Sequence, residues 1–412
     1  MVEVEVTAEG GVTGRGAAPT GQSVGSYEAF VLRDGDPREY GGLGVRTAVA
    51  NVNGPIADAL VGADVTDQAD LDRRMIELDG TDDKRRLGGN AIYSTSIACF
   101  RAAAASEGVP LYRRIAGGPV GTVPVPTFNM INGGRYPDLV QPFNEFIVVP
   151  YGADSVEHAV EMGVTLFQAL GKHLARSLRH PPMVASSYGY QAPHADPRIV
   201  LSLMQEVVDA HGYTDRVAFA LDCASSEMFD AVTSTYELNG HRVAGDELIG
   251  FTEDLTREFD LVFVEDLLDE NDWAGYELAA QRLSRTLVLG DDLIVTNRDR
   301  LAKAVASRAV DGFVLKPNQV GTITEALETY DYARAHGLVA VPSGRSGGVI
   351  DDVVMDLSVG LQVPFQKNGA PRSGERIEKL NFLMRVADSN PGSRLADLTG
   401  LVKFGATSDG AT

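Results

Sequence analysis

Six charged residues stand at or just past the ends of short apolar runs in the later part of the chain. They are Asp222, Glu265, Asp291, Lys316, Arg345 and Lys367, and Ser346 directly follows the arginine. Neighbouring members of the set lie 22 to 43 residues apart, and one strand and helix unit of a parallel α/β barrel takes roughly 20 to 30 residues. We therefore expect these side chains to meet at the carboxyl-terminal face of such a barrel, where barrel enzymes carry their active sites.

The three carboxylates of this set indicate a metal site. Asp222, Glu265 and Asp291 would converge at neighbouring strand ends, where their mutual repulsion is costly without a cation. Mg²⁺ prefers oxygen ligands of this kind and keeps open positions for a substrate. A salt bridge or a helix cap explains any one of these carboxylates equally well, but three at repeated strand ends favour a magnesium site.

The two lysines indicate acid-base chemistry and charge stabilisation. Lys316 directly follows the apolar run Gly312–Leu315, which favours a buried strand end over an exposed position. Burial and a metal ion lower the pKa of such a lysine, whereas neighbouring carboxylates raise it. A lowered pKa would suit a general base. Lys367 would supply a second fixed positive charge.

The elements that must position these groups alternate along the chain. Apolar runs typical of fully buried parallel strands lie at 217–221, 261–264, 287–289, 312–315, 338–341 and 363–365. Stretches of helical length and spacing lie between them, such as 298–307 and 323–335. This alternation predicts a parallel α/β barrel.

The first part of the chain has a different pattern. Alternating Val and Glu at residues 2–6 predict a half-buried strand, and a second extended stretch is expected near 30–33. Helical patterns cover 45–60, 68–78 and 90–107. Pro124 and Pro126 mark the change to the barrel pattern.

Composition and charge bear on partners and location. The net charge of −21 disfavours nucleic acid as a partner, because an acidic surface repels phosphate backbones, but a small anionic substrate stays compatible with a metal-containing pocket. We expect no membrane span, since no run of ~18 uncharged apolar residues occurs. The N-terminus has neither the basic start nor the apolar run of a signal peptide. Cys99 and Cys223 both lie in apolar surroundings. Two free buried thiols in a reducing cytoplasm are therefore expected.

Longer motifs around the same positions resemble the enolase family. They run in order along nearly the whole chain: GQSVG (21–25), LRDGD (32–36), LDGT (78–81), LGGNAI (87–92), FNMINGG (128–134), LDCASSE (221–227), VED (264–266), GDDLIVTN (290–297), LKPNQVG (315–321) and KNGAP (367–371). The resemblance implies an α/β fold. An enolase-like modified TIM barrel would span residues 119–412, and a smaller N-terminal α+β capping domain would span residues 1–118.

The resemblance also implies a cofactor and an assembly. Two Mg²⁺ ions are expected, one held by Asp222, Glu265 and Asp291 and a second reached by Ser23 on a loop. The substrate would be a small phospho- or phosphono-carboxylate. Members of the family form homodimers or larger assemblies, so a homodimer is expected here.

The roles of the cationic residues follow from the same resemblance. Lys316 would take the proton beside the substrate carboxylate. Lys367, together with the metal, would stabilise the enediolate that results. Arg345 and Ser346 would hold the substrate phosphate, and a guanidinium suits this because it donates hydrogen bonds in a planar fork.

Several positions depart from the family pattern. Ser187 and Tyr188 stand where the family has an Asp-Glu pair whose Glu assists the leaving hydroxyl; Tyr136 and Gly344 stand for histidines, Asn144 stands for a glutamine, and Glu145 is retained. A phenol with an ordinary pKa of about 10 is a poorer proton donor than a carboxylic acid. We expect Tyr188 and Glu145 to be catalytic, and Asn144, Tyr136 and Arg135 to contact the substrate. The gain of Arg135 and the loss of bulk at Gly344 would admit a larger or more anionic substrate.

Three functions remain open from the sequence. The first is a specialised lyase or transferase that forms an enolpyruvate-type product from a 2-phosphoglycerate-like substrate; the departures suggest a resemblance to the carboxyphosphonoenolpyruvate synthases of phosphonate antibiotic biosynthesis. The second is an ordinary phosphopyruvate hydratase in which Glu145 replaces the missing acid. The third is a catalytically silent enolase-like binding protein. Retention of Lys316 and Lys367 argues against the third, and loss of the carboxylate and histidines argues against the second.

Overall fold

The computed structural model describes residues 1–19, 21, 25–134 and 141–401. Its amino-terminal part pairs strands β1 (Glu3–Thr7) and β2 (Thr13–Ala17) antiparallel. Five helices follow: α1 (Arg46–Asn51), α2 (Ala57–Leu60), α3 (Gln68–Asp79), α4 (Gly89–Ser106) and α5 (Leu111–Ala116). Residues 30–33 form no β-strand, so the extended stretch expected there does not pair into a sheet.

The alternation of the first strand and the helical patterns are confirmed with local changes. Val2 and Val4 are buried and Glu3 and Glu5 are exposed, as a half-buried strand requires. The predicted helix at 45–60 is divided by a π-helical turn, Val52–Ile56, which contains Pro55. Proline has no N–H to donate and clashes with the preceding turn, so a regular helix cannot continue through it.

Helix α4 packs directly on the small strand pair. A Cβ added at Gly14 would lie 2.3 Å from Ala102 N, and one added at Gly16 would lie 2.2 Å from Ser94 O. Glycine at both positions therefore lets the strand backbone approach the helix backbone. Nearly every side chain of α4 is buried by this contact and its neighbours, and its abundance of small Ala, Ser and Cys side chains permits such close packing.

Eight strands form the barrel. In spatial order they are β4 (Val125–Asn132), β5 (Glu145–Val149), β7 (Ala218–Asp222), β11 (Leu261–Glu265), β12 (Leu287–Gly290), β13 (Gly312–Leu315), β14 (Val339–Pro342) and β15 (Phe365–Lys367). β15 pairs with β4, and a bridge between Ser343 and Lys367 joins it to the β14 side. The predicted apolar runs all form strands, each shifted by two residues or fewer.

One strand reverses the expected direction. β5 is antiparallel to both β4 and β7, whereas the alternating pattern predicted parallel strands throughout. The connection 133–144 is short, and a parallel neighbour needs a crossover that usually includes a helix. The sequence-based prediction overlooked both β4 and β5, because Pro126 interrupts the first and a polar loop precedes the second.

Strand side chains are buried on both faces of the barrel wall. On β7, Ala218 and Ala220 pack with other strand residues inside the barrel. Phe219 and Leu221 pack outward against the helical layer. This two-sided burial explains the continuous apolar runs.

The helical layer and the remaining short strands complete the fold. The helices are α6 (Val156–Leu178), α7 (Pro197–Ala210), α8 (Gly245–Glu258), α9 (Trp273–Arg282), α10 (Arg298–Ser307), α11 (Ile323–Ala335), α12 (Val353–Gly360) and α13 (Gly374–Ser389). The short strands are β3 (Thr122–Val123), β6 (Tyr190–Gln191), β8 (Phe229–Asp230), β9 (Thr235–Leu238), β10 (His241–Val243) and β16 (Arg394–Leu395). Among the described residues, none of the helices combines the length and apolar character needed to cross a bilayer. Cys99 and Cys223 are free and buried, as predicted, and burial raises the pKa of Cys99 to about 12.

We predict that Gly16→Ala lowers the free energy of unfolding by about 1–3 kcal/mol, since overpacking against a fixed backbone has costs of this size. Thermal or urea unfolding measures the change. Gly392→Ala is the matched control: Gly392 has open space around its Cβ position and an ordinary φ, so the substitution should leave stability unchanged or raise it slightly. Equal stability of the two variants would contradict the close approach of β2 and α4.

Candidate active site at the carboxyl ends of the barrel strands

The residues predicted at the strand ends converge on one cavity of about 300 Å³. Its wall includes Asn144, Glu145, Asp222, Asp291, Lys316, Arg345, Ser346 and Lys367. Glu265 is fully buried and is not part of the wall; it reaches the site through an ion pair with Lys367. The barrel thus gathers the six charged residues at one end, as the spacing predicted, and Glu145 lies with them.

Lys367 lies among three carboxylates. Its ammonium contacts Glu265 directly and lies 3.3 Å from Asp222 Oδ2 and 3.4 Å from Glu145 Oε2. Burial acts to lower the pKa of Lys367, but Glu265 and the other carboxylates outweigh it and hold the pKa well above its ordinary value. These carboxylates favour the charged form of Lys367, and its role as a fixed positive charge stays a prediction.

Lys316 pairs with Asp291 across neighbouring strands. Its Nζ donates to Asp291 Oδ2, and Gln319 Nε2 donates to Asp291 Oδ1 at 2.8 Å. Burial acts to lower the pKa of Lys316, but Asp291 raises it, and the net direction is upward. The sequence led us to expect that burial would lower and carboxylates would raise the pKa of Lys316, and here the effect of the carboxylate is the larger. The same pairing lowers the pKa of Asp291 although burial opposes it.

The acidic groups fit a divalent cation. Burial raises the pKa of Glu265 well above its ordinary value, and Asp222 adds to the effect. Glu265 Oε1 is buried without a hydrogen-bond partner. A buried carboxylate oxygen of this kind is the donor that a hard cation requires. The carboxylate oxygens present at this site therefore fit Mg²⁺.

A second, tighter carboxylate group lies beside the predicted ligands. Among the described residues, Asp266, Asp291 and Asp292 bring their oxygen atoms within 4.8 Å of one another. Asp266, however, uses its oxygens within the fold: it accepts hydrogen bonds from the backbone N–H groups of Asp291 at 2.9 Å and Asp292 at 2.8 Å, and from the Tyr276 hydroxyl at 3.1 Å. It therefore shapes the end of β12 and is the weaker candidate for a ligand.

An arginine from the barrel pairs with a glutamate from the amino-terminal part. Arg345 Nη1 donates to Glu28 Oε2 at 2.6 Å, and both side chains are at most 5% exposed. Glu28 lies on the cavity wall, and sequence reasoning missed it. Its place between the family-like motifs at 21–25 and 32–36 was the available signal. The pair joins the capping segment to the predicted phosphate site.

Asn144 and Glu145 lie at the start of β5. Asn144 Nδ2 donates to Asp222 Oδ2 at 3.2 Å, so it orients a predicted metal ligand as well as lining the cavity. Glu145 Oε1 accepts from Asn129 Nδ2 at 3.1 Å. Its other oxygen, Oε2, lies 3.4 Å from Lys367 Nζ, so both oxygens of Glu145 face a donor group.

The segment that replaces the expected acid pair presents Ser187 to the cavity. Tyr188 is not among the residues of the cavity wall; its ring lies 5.0 Å from the guanidinium of Arg376, and its φ of 68° is in the left-handed region. Arg376 Nη1 also donates to the Ser187 carbonyl oxygen. The catalytic role of Tyr188 stays a prediction, and Arg376 is a wall residue that sequence reasoning missed.

The space beside Gly344 is filled by a lysine. A Cβ added at Gly344 would lie 2.0 Å from Lys379 Nζ. Lys379 belongs to α13 and forms part of the cavity wall. The loss of bulk at Gly344 therefore does not simply enlarge the cavity, as the sequence suggested, because an ammonium group occupies the place. Helical spacing gave no sign that Lys379 points inward.

Three predicted residues, Ser23, Arg135 and Tyr136, lie outside the residues that the structure describes. Their roles as a metal ligand and as substrate contacts stay predictions.

Comparison with known proteins agrees with this architecture. Residues 1–115 match the family described as enolase, N-terminal domain, and residues 121–396 match enolase, C-terminal TIM barrel domain. A protein named Enolase from Methanopyrus kandleri is 41% identical over 414 residues, which covers 99% of this chain and 94% of the relative.

The chain belongs to the enolase family. It is accordingly an enzyme of the lyase type, and the predicted α/β fold, a modified TIM barrel with an N-terminal cap, is confirmed. The enolase family uses Mg²⁺ and acts on a small phosphorylated substrate. The domain boundary at residues 118 and 119 stays a prediction, since the two matches leave 116–120 unassigned.

We predict that Asp291→Asn weakens Mg²⁺ binding by at least about tenfold, since it removes a charged ligand. Asp222→Asn should do the same, whereas Asp292→Asn should change the affinity by less than about threefold. Calorimetric titration with Mg²⁺ measures all three, and Asp299→Asn, at the solvent-facing start of α10, is the matched control. A strong loss in Asp292→Asn with none in Asp222→Asn would assign the metal to the group that contains Asp266.

Proposed function

We propose that this protein removes the proton beside the carboxylate of a 2-phosphoglycerate-like substrate and forms an enolpyruvate-type product through an enediolate. The observation that supports this most directly is the pair of lysines at two barrel strand ends on the wall of one cavity, Lys367, which is buried, and Lys316, whose side chain is 14% exposed, each in contact with a carboxylate. A site that only binds an anion would need the positive charge of the lysines but would not need them to be paired with acidic side chains. A proton-abstracting site needs one amine as base and one fixed cation near the developing charge.

In this proposal each group acts through its observed position. Lys316 takes the proton after its ammonium has been deprotonated and separated from Asp291. Lys367 stays charged among its carboxylates and faces the negative charge that develops on the substrate carboxylate. Arg345 and Ser346 hold the phosphate or phosphonate, with Glu28 fixing the guanidinium.

Two Mg²⁺ ions are part of the proposal. Asp222, Glu265 and Asp291 would hold one, and Ser23 would contact the second. When bound, Mg²⁺ supplies Lewis-acid stabilisation of the charge that develops on the substrate carboxylate. The unpartnered oxygen of Glu265 supports this assignment.

The identity of the leaving group separates two candidate functions. The relative named Enolase favours ordinary phosphopyruvate hydratase activity, in which 2-phosphoglycerate loses water. Glu145 is then the obvious acid, but both of its oxygens act as acceptors, toward Asn129 and Lys367. Ser187 on the cavity wall and Tyr188 away from it favour a specialised reaction.

We therefore favour a specialised enzyme similar to the carboxyphosphonoenolpyruvate synthases, with ordinary enolase activity as the alternative. A silent binding protein is disfavoured, because such a protein has no use for a buried lysine and a second, largely covered lysine that both cost desolvation energy. A cytoplasmic location, supported by two free buried cysteines, and a homodimeric assembly complete the proposal.

We predict that the protein with Mg²⁺ exchanges the carbon-2 proton of 2-phosphoglycerate with heavy water, provided that the abstracted proton escapes before it returns. Lys316→Ala should abolish this exchange while Mg²⁺ still binds, because it removes the base and keeps the carboxylates. Proton NMR follows the exchange, and calorimetry follows the metal. Lys303→Ala, on α10 and outside the cavity, is the matched control. Undiminished exchange in Lys316→Ala would assign the base to another residue.

We predict that dehydration of 2-phosphoglycerate is slow, because Ser187 and Tyr188 stand where a carboxylic acid would protonate the leaving hydroxyl. Assistance by a general acid typically raises a rate by ~10²–10⁴-fold. Phosphorus NMR compares product formation from 2-phosphoglycerate alone with formation in the presence of a nucleotide-activated phosphonoformate. A new phosphonate product in the second reaction alone supports the specialised enzyme. Dehydration at the turnover of a glycolytic enolase would establish the alternative.

A further inference from the structure

One lysine of the cavity wall has no part in the proposed proton transfer. Lys379 lies on α13, one turn after Arg376, and both line the cavity. Its side chain is only 4% exposed. Because a Cβ at Gly344 would meet Lys379 Nζ at 2.0 Å, the ammonium occupies the volume that any other side chain at Gly344 would fill. The φ of Gly344 is ordinary, so space and not backbone geometry requires glycine there.

Among the residues that the structure describes, the charge of Lys379 is only loosely matched by a carboxylate. Its ion-pair partner is Asp352, whose Oδ2 lies 3.7 Å away, beyond the length of a good hydrogen bond. Asp352 Oδ2 has no hydrogen-bond partner, and Oδ1 caps α12 by accepting from Val354 N at 3.1 Å. Burial lowers the pKa of Lys379 and outweighs the opposing effect of Asp352. An ammonium with three donors and one distant partner can bind a further acceptor.

Arg376 extends the same cationic wall toward Ser187. Its guanidinium donates to the Ser187 carbonyl oxygen, and its nearest carboxylate is Glu375 at 3.9 Å. Arg376 and Lys379 are three residues apart on a helix, which places them on one face. Together they cover the wall between Ser187 and Gly344, the two places where this chain lacks the acidic and imidazole side chains that a neutral hydroxyl leaving group would use.

We propose that Lys379 and Arg376 form an anion subsite beside Arg345, and that the substrate carries a second anionic group there in addition to its carboxylate and to the phosphate or phosphonate at Arg345. This group is of the phosphate, phosphonate or carboxylate class. The inference deepens the proposed function and rests on it, since it places the same phospho- or phosphono-carboxylate in the same cavity. A buried ammonium and guanidinium facing a ligand add charge-assisted hydrogen bonds, which neutral groups do not match.

The subsite is tested by comparing two probes of similar shape that differ in charge. At fixed free Mg²⁺, calorimetry measures the affinities of 2,3-bisphosphoglycerate and of the 3-O-methyl ether of 2-phosphoglycerate. 2-Phosphoglycerate itself is the reference for binding to the cavity. We expect the bisphosphate to bind at least about tenfold more tightly than the ether, the size expected for one charge-assisted hydrogen bond.

Two variants remove the subsite in different ways. Lys379→Met deletes the charge and keeps much of the volume, whereas Gly344→Ala keeps every charge and displaces the ammonium. Both should bring the ratio of the two affinities close to one. Lys172→Met, at an exposed position of α6, is the matched control and should keep the wild-type ratio. Thermal unfolding checks that each variant is folded, and Gly344→Ala still decides the question if loss of the Asp352 partner unfolds Lys379→Met.

The outcomes separate the subsite from the function on which it rests. If the wild-type protein binds the bisphosphate and the ether equally tightly, or if neither variant changes the ratio of their affinities, the subsite is overturned. The proposed function still stands in that case if 2-phosphoglycerate binds. Lys379 would then be a structural partner of Asp352. Failure of all three probes to bind would remove the proposed function and the subsite with it.

Discussion

The burial of ionised groups at one end of the barrel is the constraint on which the site depends. An unpaired buried ion costs several kcal/mol, so acids and bases must compensate one another. Lys367 lies among Glu145, Asp222 and Glu265, and Lys316 pairs with Asp291. Compensation is incomplete, since Glu265 keeps one buried oxygen without a partner. The same arrangement therefore holds the fold together and retains affinity for a cation.

A layer of hydrogen bonds behind the charges fixes their positions. Val295 and Thr296 are β-branched residues in the left-handed region, with φ of 46° and 54°, a conformation that costs roughly 1–3 kcal/mol at each. In return, the Thr296 hydroxyl donates to Gln319 at 2.7 Å and accepts from the Lys316 N–H at 2.8 Å. Gln319 in turn holds Asp291. The side chains of Thr296 and Gln319 thus link the backbone N–H of Lys316, the proposed base, to its carboxylate partner Asp291.

The parts predictable from sequence were those with a local signal. Buried parallel strands leave continuous apolar runs, so most barrel strands and the charged residues that end them could be read directly. The direction of β5 could not, because strand direction depends on the path of a connection and not on side-chain pattern. Glu28, Arg376 and Lys379 also escaped prediction. Arginine, lysine and glutamate in loops and helices are usually exposed, and only the packed fold shows which of them point inward.

The residues that make the whole chain similar to an enolase are not the residues that determine which reaction it catalyses. The 41% identity to an enolase spans the barrel and its cap, where many positions preserve packing. The choice of leaving group depends on a few side chains on one wall, around Ser187, Gly344 and α13. Because the proposed proton abstraction would depend on strand ends elsewhere in the cavity, that wall can change without disturbing Lys316 or the carboxylates. A family match therefore establishes the scaffold with more force than it establishes the product.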